Sequence, residues 1–444
     1  MARVCFIFVA GLNGRLLDQT ANLPTLSQFN RRTAIKPVLP ALTSVMQATV
    51  TTGMSPGEHG IIANGLYTHN RAELLSSLDL SSFAEARRQV SFWEQANRLL
   101  DCPRFWRGSS KKVAMLFWQQ SMGASADIVL TPKPEHSPDG KTFTACHSNP
   151  ATLYPQLVAE LGPFPLQNYW GPMANFTSTQ WIVKAAQRIW SQCPTDLQLL
   201  YVPHLDYNLQ RLGPDAPAVR EDLRQVDGAL AELIARVRGD GGIPVVAGDY
   251  GMNAVDTAVA PNLALRRAGL LTTRPDAAGK LLVNYDESAA FAMVDHQIAH
   301  VYCNSGRDAG AARLLGALPG VDRVLTEPSE FDEAGLNHGR SGDIVLLAKP
   351  NGWFMHDWWE TDAEKPAWQF GVDIHNKPGY DPRELFFDPV KKCVAQDPAL
   401  VRGSHGVFGT NVQEYPALLT DAACAPAGGV VEAAALAPWL HGLI

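Results

Sequence analysis

Between Leu39 and Gly65 the chain reads LPALTSVMQATVTTGMSPGEHGIIANG, which places Thr43, Thr52, His59 and Asn64 within one short stretch. Pro37 and Pro40 precede Thr43, and the SVMQATV that follows is compatible with a helix, so Thr43 is expected at a helix N-terminus. Unpaired backbone N–H groups and the helix dipole favour an anion there, such as phosphate or sulfate. A hydroxyl at that position can attack a phosphoryl group held by the same amides. A plain N-cap threonine would carry the same signature.

Three further places offer polar side chains for chemistry. Asp206 in HLDYNLQRLGP and Asp249 in AGDYGM follow apolar runs and are expected at the C-terminal ends of strands. Carboxylates there can bind a hard or borderline cation or can cap the next helix. His204 precedes Asp206 by two residues and would share its face if the strand continued that far. His405 lies between small residues in RGSHGVFG, a Gly-rich loop rather than an apolar stripe.

The elements that must position these residues follow a repeated order of apolar strand and helix. Strands are expected over 4–11, 112–118, 127–132, 197–206 and 243–251. Within PAVREDLRQVDGALAELIARVRG, Val219, Leu223, Val226, Leu230, Leu233 and Val237 recur at spacings of three and four, one apolar stripe on a helix that should stop at Gly239. Such alternation implies an α/β fold with a mainly parallel sheet covered by helices on both faces, and ligands collect where its strands end. From about 253 to 345 the pattern loosens into extended segments around a short helix, AGAARLLGAL, as a small α+β cap inserted in a core formed by 1–252 and 346–444 would. Trp353, Trp358, Trp359 and Trp368 crowd one span, read as an aromatic satellite core in preference to a substrate rim.

Composition narrows the function classes. The 444 residues carry a formal net charge of −7, with 18% charged and 46% hydrophobic residues. That balance argues against nucleic-acid or anionic-membrane partners, which need a basic surface, and leaves a small-molecule substrate. The N-terminal apolar run is far shorter than the roughly 20 residues of a membrane helix. Seven scattered cysteines without a CxxC pair suit reduced thiols in the cytoplasm. Nothing in the sequence indicates an oligomeric state.

The Thr43 segment resembles the nucleophile region of the alkaline phosphatase superfamily, in the branch of type I phosphodiesterases and nucleotide pyrophosphatases. That pattern runs from a Pro-rich loop to the nucleophilic Thr, then Thr-Gly, Pro-x-x-His-Gly-Ile and an Asn; here these are Thr43, Thr52-Gly53, PGEHGI at 56–61 and Asn64. LLYVPHLDYNLQRLGP, VVAGDYGM and GSHG resemble the later metal-ligand motifs, in the same order. The resemblance implies an alkaline-phosphatase-like fold and hydrolysis or transfer at a phosphate ester. It makes Thr43 the nucleophile and Asn64 the donor to the phosphoryl oxygen, beside a zinc pair.

Departures from the pattern fall on the metal ligands. Ala10 stands where the first strand should end in Asp, Gln210 where a His should follow Asp206, and Tyr250 where a His should follow Asp249. Three arrangements stay open. In one, a single divalent ion, Zn or Mn, is held by Asp206, Asp249 and His405, completed by His204 or His375; Asp295, His296 and His300 in DHQIAH are weaker substitutes. In another, the site is metal-free, and His405 paired with Asp206 or Asp249 activates Thr43 toward phosphate, sulfate or acyl esters. In the last, the domain only binds. Tyr250, Gln210 and Arg340 are assigned to substrate contact.

Overall fold

The protein is described here from a computed structural model covering residues 2–68, 89–136, 142–143, 145–375 and 377–444. VCFIFV forms β1 (Val4–Val9), buried along its whole length. Its unbroken β-branched and aromatic character suits a strand covered on both faces. β2 (Arg31–Lys36), β3 (Val113–Leu116), β4 (Ile128–Pro132), β5 (Cys146–Asn149), β6 (Leu197–Val202) and β7 (Ile243–Gly248) follow. β8 (Ala290–Asp295), β9 (Ile298–Cys303), β10 (Val321–Leu325) and β11 (Ile344–Ala348) make a second sheet. β12 (Ala417–Thr420) and β13 (Val430–Glu432) return to the first.

The main sheet has nine strands in the order β13-β2-β12-β7-β1-β6-β3-β4-β5. Its centre, β7-β1-β6-β3-β4, is parallel, while β12 and β5 run antiparallel to their neighbours in that centre. This is the α/β architecture expected from the sequence. Register sets the site: Val9 pairs with both Val202 and Gly248, so Ala10, Pro203 and Asp249 leave the sheet at one level of its carboxyl edge. Gly248 permits this crowding, because a Cβ there would lie 1.9 Å from the Leu12 carbonyl oxygen.

The helices that matter here are α1 (Thr43–Thr52), α2 (Phe176–Gln192), α3 (His204–Leu212), α4 (Pro217–Gly239) and α5 (Ala309–Gly316). All six stripe residues of α4 are buried against the main sheet, each contributing at most about 1.5–3 kcal/mol. α4 includes Gly239, so the stop falls slightly later than expected, at Asp240 and the left-handed Gly241 (φ +72°). One strand differs more. β6 ends at Val202 and α3 begins at His204, because Pro203 cannot donate to the sheet ladder. His204 and Asp206 therefore diverge by roughly 200° around a helix instead of sharing a strand face.

The second sheet runs β8-β9-β11-β10, antiparallel throughout. Its core also takes in Ile61, Ile62, Val90, Phe92, Phe354 and Tyr380, segments on both sides of 253–345. α1 lies between the two cores: Met46 and Val50 belong to the first, Leu42, Val45 and Ala48 to the second. Every residue of α1 is buried, which fixes its N-terminus where the two sheets meet.

Trp358, Trp359 and Trp368 pack on one another and on His356, and Trp353 packs with Val255 and Val401. Trp358 and Trp359 thus belong to the second sheet's core with Trp368 packed on it, and only Trp353 sits in a small separate cluster, so the span is core as expected but not one satellite. Among the described residues no helix is long and apolar enough to cross a membrane, and the seven cysteines are unpaired.

Candidate active site

Thr43 is the first residue of α1, and its preceding N-cap, Leu42, has no side-chain acceptor to offer the helix. Asn64 fills that role from a distance: its Oδ1 accepts from the Ser44 N–H at 3.0 Å. The Thr43 hydroxyl lies 3.5 Å from the Tyr201 hydroxyl. Thr43 lines a cavity of ≈480 Å³ together with Asp206, Tyr250, His296, Tyr380 and His405. The loop before Thr43 is tied to the late histidine loop. The Ala41 N–H donates to Gly406 O at 2.9 Å, and His405 Nδ1 donates to Ala41 O at 2.8 Å. With Nδ1 carrying the proton for a carbonyl, His405 Nε2 is left as a lone pair; this tautomer is assigned from the bonding.

Four rings line one wall in sequence. Tyr380 stacks on His296 at 3.7 Å, His296 meets His405 at 4.0 Å, and His405 stacks on Tyr250 at 3.5 Å. The Tyr250 hydroxyl donates to Asp206 Oδ1 at 2.8 Å, and Gln210 Nε2 donates to Asp206 Oδ2 at 2.6 Å. The Tyr380 hydroxyl donates to Gln210 Oε1 at 2.9 Å, closing a circuit of six residues. Burial pushes the Asp206 carboxyl up to about 6, against the lowering effect of Tyr250 and Gln210. Burial also holds the His405 ring well below its usual range, so it is neutral.

A second polar pair enters from the other sheet. His296 sits at the tip of the β8–β9 hairpin, and its Nδ1 lies 2.7 Å from Asp295 Oδ1. The Asn64 backbone N–H donates to Asp295 Oδ2 at 2.7 Å and its Nδ2 to Oδ1 at 3.3 Å. Burial raises Asp295 to about 6, with Asn64 opposing, and burial keeps His296 neutral.

These donors do not fit the zinc pair that the sequence pattern implies. Both oxygens of Asp206 are hydrogen-bonded by the residues that replace two ligand histidines. Ala10 offers no donor. Asp249 Oδ1 accepts from the Gly11 and Tyr250 N–H groups at 3.0 Å each, leaving only Oδ2 unpartnered. Burial, with Asp206 nearby, pushes the Asp249 carboxyl well up. Among the described residues no three His, Cys, Asp or Glu converge as a metal cluster.

Other expected site residues have different surroundings. His204 lies 3.2 Å from Gln225 and 3.4 Å from Asp222, against Phe176 and outside the cavity, because α3 turns it away. His375 lines the cavity with its Nδ1 3.1 Å from the Phe92 carbonyl, a structural anchor. Arg340 is spent on the Gly60 and Leu99 carbonyls and on Asp101, away from the cavity. His300 bonds Ile62 O and the Gly342 N–H. His59 links Thr49 to the Ile61 N–H and so holds the turn after α1. His405 is not paired with Asp206 or Asp249, since Tyr250 lies flat on its ring and takes Asp206. Gln210 is turned to Asp206 and is absent from the lining, whereas Tyr250 lines the cavity. Sequence reading missed the aromatic walls, Trp93, Tyr169, Trp170, Tyr201, Tyr207 and Tyr380, which come from five separate segments with no shared spacing.

Comparison with known proteins bears on the fold and the family. The sequence profile of type I phosphodiesterase / nucleotide pyrophosphatase matches residues 4–381. No curated protein matches the chain in sequence. Among solved structures, phosphonoacetate hydrolase from Sinorhizobium meliloti 1021, in complex with phosphonoformate, is similar with a TM-score of 0.61 and 16% identity, over 100% of this chain and 96% of that one. Murine ectonucleotide pyrophosphatase / phosphodiesterase 5 gives 0.56 and 15%, over 99% and 95%. The human protein of that name gives 0.60 and 13%, over 99% and 94%. At these identities the structures establish the fold, and the profile establishes the lineage. The chain belongs to the type I phosphodiesterase / nucleotide pyrophosphatase family of the alkaline phosphatase superfamily, a family of hydrolases.

Proposed function

We propose that this protein hydrolyses a phosphodiester or pyrophosphate-type bond in an organic small molecule, with Thr43 as nucleophile. The observation that carries this is the placement of Thr43 at the N-terminus of a buried helix, where it lines a cavity walled by rings. The Thr43 oxygen would form a bond to phosphorus as the ester bond to the leaving alcohol breaks, and water would then cleave the phospho-threonine. The cavity supports a substrate with a flat organic group. Among the described residues its lining contains no Lys or Arg, while Asp206 and Asp373 add acidic groups. A dianionic monoester would meet no fixed counter-charge there, so a monoanionic diester suits it better.

The same lack of cations supports a second reading, attack on an uncharged acyl ester. The test is hydrolysis of bis-p-nitrophenyl phosphate beside a p-nitrophenyl acyl ester, by wild type and by Thr43→Ala. Diester turnover that falls at least about 100-fold in Thr43→Ala is the expected result. Faster acyl turnover favours the second reading, and full activity in Thr43→Ala removes the nucleophile assignment. If neither ester is turned over, with or without added Zn²⁺ or Mn²⁺, a binding role replaces catalysis. Unpaired cysteines fit the reducing cytoplasm, which we include in the proposal.

A further inference from the structure

His296 occupies a backbone conformation that a non-glycine residue seldom adopts, with φ +56°. Its neighbours hold it there. Gln297, the other turn residue, donates its side-chain amide to the Pro350 and Gly352 carbonyls and accepts from Asn253. The Gln297 N–H donates to His405 O, and the Phe354 N–H donates to His296 O. A hairpin tip could take glycine or asparagine at no such cost, so the histidine side chain needs another reason to be there. His296 lines the same cavity as Thr43.

A run of hydrogen bonds connects the two residues mechanically. Ser44, next to Thr43, donates to Asn64; Asn64 donates to Asp295; Asp295 accepts from His296 Nδ1. With its Nδ1 proton on the carboxylate, His296 presents Nε2 as a lone pair. His405 has the same tautomer but hydrogen-bonds only a carbonyl, carries rings on both faces and feels Asp295 only through space. His296 bonds that carboxylate directly. Meanwhile Tyr250 and Gln210 satisfy Asp206, the carboxylate that a metal ion would otherwise neutralise.

We infer that His296, oriented by Asp295, is the general base that activates Thr43, and that the circuit of Tyr380, His296, His405, Tyr250, Asp206 and Gln210 stands in place of the family's metal pair. The inference rests on the reading of Thr43 as nucleophile. The Thr43 proton passes to His296 Nε2 as the oxygen bonds phosphorus. The same proton then goes to the departing alkoxide, completing the alcohol product. In the second half, His296 takes a proton from water, hydroxide displaces the Thr43 oxygen from phosphorus, and that oxygen recovers the proton. Asp295 is a positioning residue that also stabilises the transient imidazolium. Within the substrate class proposed above, this base-assisted site selects monoanionic or uncharged esters.

The test uses a fluorophosphonate probe on the full-length protein after exhaustive chelation, with Thr43 modification read by mass spectrometry. Labelling forms the Thr43 oxygen–phosphorus bond, breaks the P–F bond and passes the hydroxyl proton to His296. Wild type is expected to label at Thr43. His296→Gly, which fits a positive φ and should keep its melting temperature, is expected to label about 100-fold more slowly, with added imidazole restoring much of the rate. Asp295→Asn should label at least about 10-fold more slowly and resist imidazole rescue. Equal labelling of His296→Gly and wild type overturns the inference. So does wild-type labelling that disappears on chelation and returns with Zn²⁺ or Mn²⁺, or absence of labelling in chelated wild type. Failure to hydrolyse bis-p-nitrophenyl phosphate while labelling persists removes the phosphodiester reading and leaves the base assignment intact.

Discussion

Asn64→Ala is the sharpest probe of how Thr43 is held. The side chain does two jobs: its Oδ1 accepts from the Ser44 N–H at 3.0 Å, and its Nδ2 donates to Asp295 at 3.3 Å. Losing a helix-capping acceptor costs about 0.5–2 kcal/mol, and a buried N–H left without a partner costs about 1–3 kcal/mol. These two figures describe largely the same loss. The long bond to Asp295 adds about 1 kcal/mol, since the backbone N–H of residue 64 still reaches the carboxylate at 2.7 Å. The sum is about 2–4 kcal/mol, read as a lower urea midpoint at unchanged slope by tryptophan fluorescence. Asn64→Asp separates the two jobs. It keeps an acceptor for Ser44 but sets a second buried carboxylate against Asp295, so one of the pair must carry a proton. Its cost should therefore grow between pH 5 and pH 8, while that of Asn64→Ala stays nearly level. A loss below about 0.5 kcal/mol for Asn64→Ala, or identical pH behaviour of the two variants, refutes the bridging role.

Three other outcomes follow from the same structure. His59 is buried and its pKa is lowered to about 3 by burial, then by Arg104, against an ordinary 6.5. Below pH 6.5 the unfolded chain binds a proton that the folded one refuses, so this residue makes stability rise with pH by up to about 1.4 kcal/mol per unit across that window. His59→Leu should remove one proton from the measured slope, and an unchanged slope contradicts the assignment. The absence of Lys and Arg among the described lining residues predicts that bis-p-nitrophenyl phosphate exceeds p-nitrophenyl phosphate in kcat/KM by at least about 100-fold; a preference for the monoester counts against the charge reasoning. Ala10→Asp with Gln210→His and Tyr250→His should raise zinc content, measured by elemental analysis, from near zero in wild type to about two ions per chain. Equal zinc in both proteins would show that the aromatic circuit is no barrier to metal.

Much of this was already written in local sequence. The apolar runs pointed to β1, β6 and β7, because short, mainly apolar stretches bounded by turns suit strands covered on both faces. The stripe from Val219 to Val237 fixed α4 through its 3.6-residue period. The prolines before Thr43, with a helix-compatible stretch behind it, placed that hydroxyl at the start of α1. The three lost ligands, at Ala10, Gln210 and Tyr250, were also legible, since each falls at a known offset within a motif. Where sequence misjudged, the error was one of direction. Pro203 ended β6 early and turned His204 away, and Arg340 found backbone carbonyls instead of a substrate.

Tertiary structure alone decided what the site residues touch. Side-chain stacking has no period along a chain, so nothing in the order of residues announces that Tyr380, His296, His405 and Tyr250 lie ring on ring. Asp295 and His296 belong to the second sheet, and only the packing of α1 between the two cores brings that hairpin tip to the cavity of Thr43. Local chemistry placed the hydroxyl proposed as nucleophile. The partner that could take its proton arrives from some 250 residues away, by a fold whose contacts are set by shape and burial rather than by spacing.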